Sequence, residues 1–414
     1  MLVEFCVGNY RSFRDRVTLS MVAANLRSQD KELDENNVFD AGPKLRLLTS
    51  VAIYGANASG KSNLVRAMVV MRDLVMRSAE GTNPTGGIDV EPFRLNTETV
   101  QLPSYFQVIF LLDGIRYRYG FEATSERIVA EWLHYVPKTV EAKLFKRQGD
   151  EFSFGESFRE GKELAEKVRP NALLLSVAAQ FNNLRAHEVV GWFRNHLGIA
   201  SGLEDSSMRT STLRALKDPQ RREEIIELVK KLDLGISGVT VETTPDTGRD
   251  VSRVFVGAPP ELRDAIANLQ KVVDDLNRSN GSEQEHVSVR VTRPVLNSDG
   301  KPVDSAEFDL DECESEGTRK LIAMAGPLVN VLKLGRVLVI DEFDARLHPL
   351  ITQAIIRLFN SSQANPNHAQ LVFATHDTNL LDRRFFRRDQ IWFTEKDRQG
   401  ATQLYSLAEF RVRN

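Results

Sequence analysis

The sequence lacks the features that mark membrane, disulfide-rich and zinc-binding proteins. It contains two cysteines, Cys6 and Cys313, and neither lies in a CxxC or Cys/His spacing, which argues against a disulfide framework or a zinc site. No stretch approaches the roughly 20 apolar residues that cross a bilayer. The first residues, MLVEFCVGNY, lack the basic segment and apolar run of a signal peptide. We therefore expect a cytoplasmic protein with ordinary thiols and no membrane partner.

An excess of charge of one sign is also missing. Lysine and arginine number 54 and the acids 57, for a formal net charge of -3, so bulk attraction to nucleic acid is not expected. One local basic run is interrupted by two phenylalanines, and helical spacing would place several of its guanidinium groups on one face: Arg383, Arg384, Arg387 and Arg388. A nucleic-acid contact, a solvated face and a partner surface are the alternative interpretations of this run.

Both ends of the chain show an α/β pattern. With 414 residues and 42% hydrophobic residues, the chain is long enough for two or three structural units. Near the start, apolar segments predict strands at LVEFCVGNY, VTLSMVAAN and LLTSVAIYG, then a helix at SNLVRAMVVMRDLVM. An antiparallel meander is predicted at SYFQVIFLLDG, IRYRYGFEA and RIVAEWLHYV. Further on, a helix is predicted at TRKLIAMAGPLVNVL, and strands at HVSVRVTRPV, RVLVIDE and QLVFATH.

The middle of the chain predicts polar-rich helices. Two segments begin near Pro219 and Pro260, as first-turn geometry prefers. The second carries an apolar seam of about two heptads, too short for a long coiled coil, at Leu262, Ile266, Leu269, Val273 and Leu276. A compact arm or a partner-docking pair is the better interpretation. We expect an N-terminal part of one domain at 1–190, a helical insertion at 191–285, and the C-terminal part at 286–414.

The strongest chemical signal is the segment GANASGKS, from Gly55 to Ser62. It satisfies GxxxxGK[ST] between a predicted strand and a predicted helix, the context that a P-loop requires. Glycines let backbone N–H groups surround phosphate oxygens, and the helix N-terminus adds a favourable dipole. Lys61 would neutralise the β- and γ-phosphates and Ser62 would ligate magnesium. The motif predicts ATP and Mg²⁺ as ligands, bound by Gly55, Ser59, Gly60, Lys61 and Ser62.

A second motif lies far downstream, where Val337 to Ile340 lead into Asp341 and Glu342. Such a run is also an ordinary strand end. Together with the P-loop it matches the Walker B pattern, in which the first acid holds the magnesium shell and the second orients and deprotonates the attacking water. We expect Asp341 to be a metal ligand and Glu342 the catalytic base.

The distance between the motifs is informative about the class. A compact AAA+ module or small GTPase would bring Lys61 and Asp341 much closer in sequence. In this arrangement the chain resembles the SMC/RecF-like branch of ABC ATPases, in which a P-loop segment and a Walker B segment fold together around an insertion. The resemblance implies an α/β ABC-type ATPase head with a mixed sheet, an antiparallel β-lobe and an inserted helical element. It also implies a homodimer or a higher even-numbered oligomer, because two heads pair face to face.

Two further motifs carry the resemblance outside the Walker motifs. NYRSF, from Asn9 to Phe13, resembles the family's NFxS motif, which implies that Arg11 and Ser12 approach the nucleotide phosphates. SEGT, from Ser315 to Thr318, resembles the SxG signature, which implies that Ser315 and Gly317 cap the γ-phosphate on the opposite protomer. A plain helix N-cap is the structural alternative, and Glu316 departs from the frequent SGG form.

The remaining family positions follow in order. Asp344 resembles the D-loop aspartate that links two sites across the dimer, and His376 resembles the switch histidine that contacts γ-phosphate. Asn57 matches the GxN form of the P-loop. His348 is expected to support the D-loop rather than the nucleotide. Gln107 lies inside a predicted strand, so no Q-loop role is assigned to it.

The succession of motifs also resembles the ATPases of bacterial anti-phage defence and abortive-infection cassettes, such as Septu PtuA, PARIS AriA and ATPases paired with RloB-type proteins. This resemblance implies a sensor or scaffold that controls a separately encoded nuclease or toxin. Related OLD-family proteins carry a TOPRIM domain after the ATPase, whereas little sequence follows His376. No clustered metal-binding acids or HNH-like histidines occur elsewhere in the sequence. We expect effector chemistry to belong to a partner.

Three other functions share these motifs. A RecF-like DNA-repair ATPase would bind DNA in an ATP-dependent way. An ABC transporter subunit would have its two Walker motifs much closer together and no use for the long insertion. A non-catalytic scaffold would bind ATP with little turnover, and comparison with a Glu342→Gln variant separates it from an active enzyme.

Overall fold

The computed structural model describes residues 1–26, 30–80, 87–232, 235–245 and 285–410. The chain forms two compact units, of which the first combines Met1–Asp205 with Leu328–Asn414 and the second comprises Ser206–Pro327. The two ends of the chain therefore belong to one unit, and the second unit is inserted between them. Side chains of 243–245 and 285–287 lie outside this description.

The secondary structure of the described residues is numbered in chain order. The helices are α1 (Lys31–Asn36), α2 (Lys61–Arg77), α3 (Leu174–Gln180), α4 (Leu184–Asn195), α5 (Ser206–Leu216), α6 (Pro219–Lys231), α7 (Leu310–Cys313), α8 (Glu316–Leu334) and α9 (Pro349–Phe359). The strands are β1 (Leu2–Gly8), β2 (Val17–Ser20), β3 (Val38–Gly42), β4 (Leu45–Leu48), β5 (Ser50–Tyr54), β6 (Ser104–Leu112), β7 (Ile115–Ala123), β8 (Ile128–Val136), β9 (Ala142–Gln148), β10 (Glu151–Phe154), β11 (Leu197–Ser201), β12 (Gly238–Pro245), β13 (Glu285–Leu296), β14 (Pro302–Asp309), β15 (Val337–Asp341), β16 (Gln370–Ala374), β17 (Ile391–Lys396) and β18 (Thr402–Ser406).

A six-stranded mixed sheet forms the centre of the first unit. Its order is β11-β15-β16-β5-β17-β18, with every pair parallel except β17–β18. All residues of β5 and β16 are buried, as expected for parallel strands that are covered on both faces. Because the strands are parallel, the carboxyl ends of β5, β15, β16 and β17 lie at the same edge of the sheet.

A seven-stranded antiparallel sheet forms the β-lobe of the same unit. Its order is β10-β9-β8-β7-β6-β1-β2, so the predicted meander is confirmed and continues through two further strands. One face is apolar because alternate residues of β6, such as Phe106 and Phe110, are buried. Helix α4 covers this face, where Trp192 stacks on Phe110 with 4.1 Å between ring centroids. The predicted α/β class with a mixed sheet and an antiparallel lobe is confirmed.

The inserted unit combines helices with a three-stranded antiparallel sheet of order β12-β13-β14. Helix α6 begins at Pro219, as predicted, and the Asp218 carboxylate accepts the Arg221 backbone N–H at 2.9 Å. Thr212 Oγ1 on α5 donates to the Ala323 carbonyl oxygen on α8 at 2.6 Å. The helix predicted to begin near Pro260, with its seam, lies outside the described residues.

The unit boundaries differ from the expected 190 and 285 because of strand pairing. Strand β11 pairs in parallel with β15, so the first unit continues to Asp205. Strands β13 and β14 pair with β12, so the inserted unit continues to Pro327. The insertion is therefore not purely helical.

The expected helical face of guanidinium groups is wrong. Residues 383–387 form turns and loop, followed by a 3₁₀ turn at Arg388–Gln390. Arg387 is 3% exposed and forms ion pairs with Asp34 and Asp389. Phe385 and Phe386 are buried as well, whereas Arg383 and Arg384 are exposed.

The two cysteines lie in different environments. Cys6 is buried and Cys313 exposed, and both are free thiols. Burial raises the pKa of the Cys6 thiol. Across the described part of the chain, none of the helices has the length and apolar content needed to span a bilayer.

Candidate nucleotide-binding site

The P-loop connects the buried strand β5 to helix α2, as the sequence predicts. Gly60 caps the helix with a φ of 118°, a conformation that favours glycine. A Cβ atom at Gly60 would also overlap the side chain of Thr402, and one at Gly55 would overlap Thr394. The loop therefore lies directly against the β17–β18 hairpin, and both glycines are needed for that approach.

Lys61 points back into the loop that precedes it. Its Nζ donates to the carbonyl oxygens of Gly55 at 2.7 Å and Ala56 at 3.2 Å, and the residue is 5% exposed. Burial lowers the pKa of Lys61, while Asp341, Asp344 and Glu342 oppose that shift by favouring the charged form. A buried ammonium group at the N-terminus of a helix is suited to an anionic ligand such as a phosphate chain.

The NYRSF segment is tied to the P-loop through Ser12. The Ser12 hydroxyl accepts a hydrogen bond from Asn63 Nδ2 of α2 at 2.8 Å. It also lies 2.8 Å from Thr402 Oγ1, which is 2.7 Å from the Ser59 carbonyl oxygen. Arg11 pairs instead with Glu91, at 3.1 Å from its Nη2. Ser12 is therefore hydrogen-bonded to residues around the P-loop, whereas Arg11 forms an ion pair with an acid.

The carboxyl end of β15 provides the acids of the predicted Walker B motif. Asp341 Oδ1 is buried and has no hydrogen-bond partner within the described residues. Helix α2, which carries Ser62 in its first turn, packs against this strand. A carboxylate and a hydroxyl are the oxygen ligands that Mg²⁺ prefers. The unpartnered carboxylate oxygen therefore fits a magnesium ion, which would supply positive charge beside the phosphates.

Glu342 has an unusual backbone conformation and packs against Gly202, which follows β11. Its φ is 51°, in the left-handed region. The Gly202 N–H donates to the Asp341 carbonyl oxygen at 2.7 Å, and a Cβ atom at Gly202 would overlap the carbonyl oxygen of Glu342. The turn that carries the predicted base is thus packed against a residue with no side chain.

We predict that Gly202→Ala displaces the Glu342 turn. The added methyl group should destabilise the protein by about 1–3 kcal/mol, the usual effect of overpacking, and lower ATP turnover more than ATP affinity. Thermal unfolding, ATP titration and phosphate release measure these effects. Gly191→Ala is the matched control, since a Cβ there meets nothing within 4 Å. Equal behaviour of the two variants would contradict the importance of this contact.

The segments that follow β15 and β16 are joined by one side-chain and one backbone hydrogen bond. Asp344 Oδ1 accepts the His376 N–H at 3.2 Å, and the Phe343 N–H donates to the Ala374 carbonyl oxygen at 2.9 Å. The His376 side chain is exposed at this edge. His348 caps helix α9, with its Nδ1 accepting the Leu350 N–H at 3.3 Å. The predicted D-loop and switch residues therefore meet.

The predicted signature belongs to the inserted unit, whereas the other predicted site residues belong to the first. Ser315 is exposed, and its hydroxyl accepts the Thr318 N–H at 3.2 Å. It therefore caps helix α8, and Gly317 lies in that helix's first turn. The cap geometry is the structural alternative named from the sequence, and it also leaves the helix N-terminus at the protein surface.

Several contacts of the site involve residues that the sequence did not single out. Thr394 and Thr402 hold the P-loop through their hydroxyl groups, with Ser59 Oγ 2.6 Å from Thr394 Oγ1. The alternation in TQLYS indicates a strand but not which face meets the loop. Gln107 accepts from Trp132 Nε1 at 3.1 Å on the β-lobe, which agrees with an ordinary sheet position.

A family described as "AAA domain, putative AbiEii toxin, Type IV TA system" matches residues 50–382. The chain belongs to this family. The match covers most of the chain and includes both Walker motifs, so membership in this AAA-domain family agrees with a nucleotide site at the P-loop edge. No curated protein matches the chain.

Solved structures similar to this AAA-domain chain include heads of SMC proteins. The SMC head domain from Thermotoga maritima has 12% identity and a TM-score of 0.41, with 98% of each chain covered. The SmcHead bound to the C-winged helix domain of ScpA has 12% identity and a TM-score of 0.47, with 98% of this chain and 97% of that chain covered. At these low scores, the fold assignment depends on the sheet order of the chain itself.

Proposed function

We propose that the chain is a magnesium-dependent ATPase. The observation that supports this proposal most strongly is that one edge of the mixed sheet brings together the P-loop, Asp341, Glu342 and the His376–Asp344 contact. Backbone N–H groups from Gly55 to Gly60, a segment that includes Asn57, bind the phosphates together with Lys61. Ser62 and Asp341 hold Mg²⁺, Glu342 accepts a proton from the attacking water, and His376 contacts the γ-phosphate.

The site is proposed to be completed by a second copy of the chain. Ser315 is exposed at the start of the 19-residue helix α8, where a hydroxyl and backbone N–H groups can approach a phosphate on another molecule. Ser315 and Gly317 of one protomer would cap the nucleotide of the other, with Asp344 linking the two sites and Arg11 and Ser12 adding phosphate contacts. A homodimer, or a higher even-numbered oligomer, follows from this arrangement.

In the cell, we propose a sensor or scaffold role in an anti-phage defence complex. The description of the family names a type IV TA system, which supports the proposal that this chain functions together with a separately encoded protein. The sequence resemblance to defence ATPases supports a nuclease or toxin as that protein. The inserted unit, Ser206–Pro327, is the candidate docking surface. ATP binding and slow hydrolysis would switch the assembly between conformations.

The mass of the complex purified after co-expression with the neighbouring gene tests this role. We expect a stable co-assembly with an even number of ATPase chains, and phosphate release above that of a Glu342→Gln preparation. A lone monomer that dimerises only with ATP and DNA would favour a RecF-like repair function instead. Nucleotide binding without any release above the variant would indicate a non-catalytic scaffold.

A further inference from the structure

A cavity of about 430 Å³ lies beside the P-loop in the first unit. Residues Gly55–Ser59 form one wall, and the end of β17 with Tyr405 of β18 forms the other. Its size falls within the range of small-molecule pockets, about 300–1,000 Å³. The cavity is at the carboxyl ends of two neighbouring parallel strands, where open α/β sheets bind ligands.

The hairpin wall combines two aromatic rings with Thr394, one acid and one lysine, Lys396. Phe393 and Tyr405 are half-buried, and their rings stack with 5.8 Å between centroids and 29° between planes. The exposed Glu395 accepts the Tyr405 hydroxyl hydrogen through one carboxylate oxygen at 3.1 Å. Aromatic rings bind the flat face of a nucleobase, and a carboxylate oxygen accepts from an amino group.

The hairpin is hydrogen-bonded to the P-loop, so the two walls of the cavity are held together. Ser59 Oγ lies 2.6 Å from Thr394 Oγ1, and Thr402 Oγ1 lies 2.7 Å from the Ser59 carbonyl oxygen. In a nucleotide, only the ribose separates the phosphates from the base. A nucleotide whose phosphates are bound inside the P-loop therefore has its base close to the loop. The hairpin is therefore placed to contact the base without any rearrangement of the loop.

We propose that this cavity receives the base of the bound nucleoside triphosphate, with Tyr405 and Phe393 as its stacking surface and Glu395 as acceptor for the exocyclic amino group of adenine. The inference rests on the proposed nucleotide binding at the P-loop. It adds a base-recognition element made by the β17–β18 hairpin, and it makes that hairpin the source of selectivity among nucleoside triphosphates.

The test compares ATP with inorganic tripolyphosphate, which has the phosphates but no base. Dissociation constants of both, with magnesium, are measured by calorimetry for the full chain. Tyr405→Ala should weaken ATP binding about tenfold, as expected for one lost stacking surface, and leave tripolyphosphate binding unchanged. Tyr405→Phe keeps the ring and should bind both ligands like the wild type. Glu395→Ala should reduce the ratio of the dissociation constant of inosine triphosphate to that of ATP, because inosine triphosphate lacks the amino group.

The outcomes separate this inference from the proposed function. Failure of the wild type to bind either ligand would overturn nucleotide binding itself. Normal tripolyphosphate binding combined with unchanged ATP binding by Tyr405→Ala would overturn the base site and leave the P-loop role intact. An equal loss of both ligands in Tyr405→Ala, with unchanged thermal unfolding, would show that the ring shapes the P-loop and would also overturn the base site.

Discussion

Lys61→Ala is expected to weaken ATP binding by about 30-fold or more. The side chain is buried against the P-loop carbonyl oxygens, so its ammonium group would contact the phosphates in a largely desolvated position. Removing one partner of such a charge pair costs roughly 2–5 kcal/mol of binding free energy, and each 1.4 kcal/mol is a factor of ten. Calorimetry with ATP and magnesium measures the loss. Lys146→Ala, on an exposed position of β9, is the control and should bind normally.

The same variant gives a second readout that a folding defect would not reproduce. Burial lowers the pKa of Lys61, so the folded protein holds this proton less tightly than the unfolded chain does. The charged side chain therefore opposes folding at neutral pH, and that cost disappears as pH rises above its unfolded pKa. We expect the ligand-free Lys61→Ala protein to unfold at the wild-type temperature or higher. A clear loss of stability would assign the affinity change to misfolding.

Glu342→Gln is expected to lower the hydrolysis rate by about 10²–10⁴-fold, the usual contribution of a general base, while ATP affinity stays within a few-fold of wild type. Glutamine keeps the size of the side chain and its place in the left-handed turn but does not accept the proton. ATP should therefore persist in the site and hold the paired heads together. Phosphate release, calorimetry and mass measurement with ATP and magnesium report the three effects.

The control for this variant is Glu126→Gln, at an exposed position of a β-lobe turn. It should hydrolyse ATP at the wild-type rate. Equal losses of ATP affinity in Lys61→Ala and Glu342→Gln would contradict the separate roles of phosphate binding and proton transfer.

Strands could be predicted from the sequence where their pattern of buried residues follows a simple rule. Alternation in β6 reflects one buried face, and the continuous apolar runs of β15 and β16 reflect burial on both faces. The short strand β11, LGIAS, has no such pattern, and its place beside β15 depends on pairing between distant segments. That non-local pairing is why the first unit continues beyond 190, to Asp205.

In the site, too, the residues of a local motif could be predicted from the sequence, whereas residues that approach through tertiary contacts could not. The P-loop could be predicted because its function requires a continuous segment from Gly55 to Ser62. Thr394 and Thr402 reach the loop from β17 and β18, and Gly202, after β11, contacts the Glu342 turn; no spacing rule connects these residues to the motifs. The arginine run shows the opposite error, since its residues form turns and loop rather than the helix that their spacing suggested.

A buried acid in the β-lobe also escaped sequence reasoning. Glu131 on β8 is completely buried, and its carboxylate accepts the N–H groups of Leu174 and Leu175 at 2.7 and 3.0 Å. Burial raises the pKa of Glu131, and these N–H groups oppose the shift. The acid anchors the start of α3 to the sheet. Its partners lie in a distant segment, so only the folded structure identifies this role.

The central claim, a nucleotide site shared between two copies, is tested most directly by mixing two inactive variants. Lys61→Ala removes the P-loop charge and keeps the signature, whereas Ser315→Arg blocks the exposed signature and keeps the P-loop. Each alone should lack hydrolysis. Half of the dimers in an equal mixture are mixed and regain one site of two, so we predict recovery of about a quarter of the wild-type rate. No recovery from folded variants that still dimerise with each other would contradict the shared site.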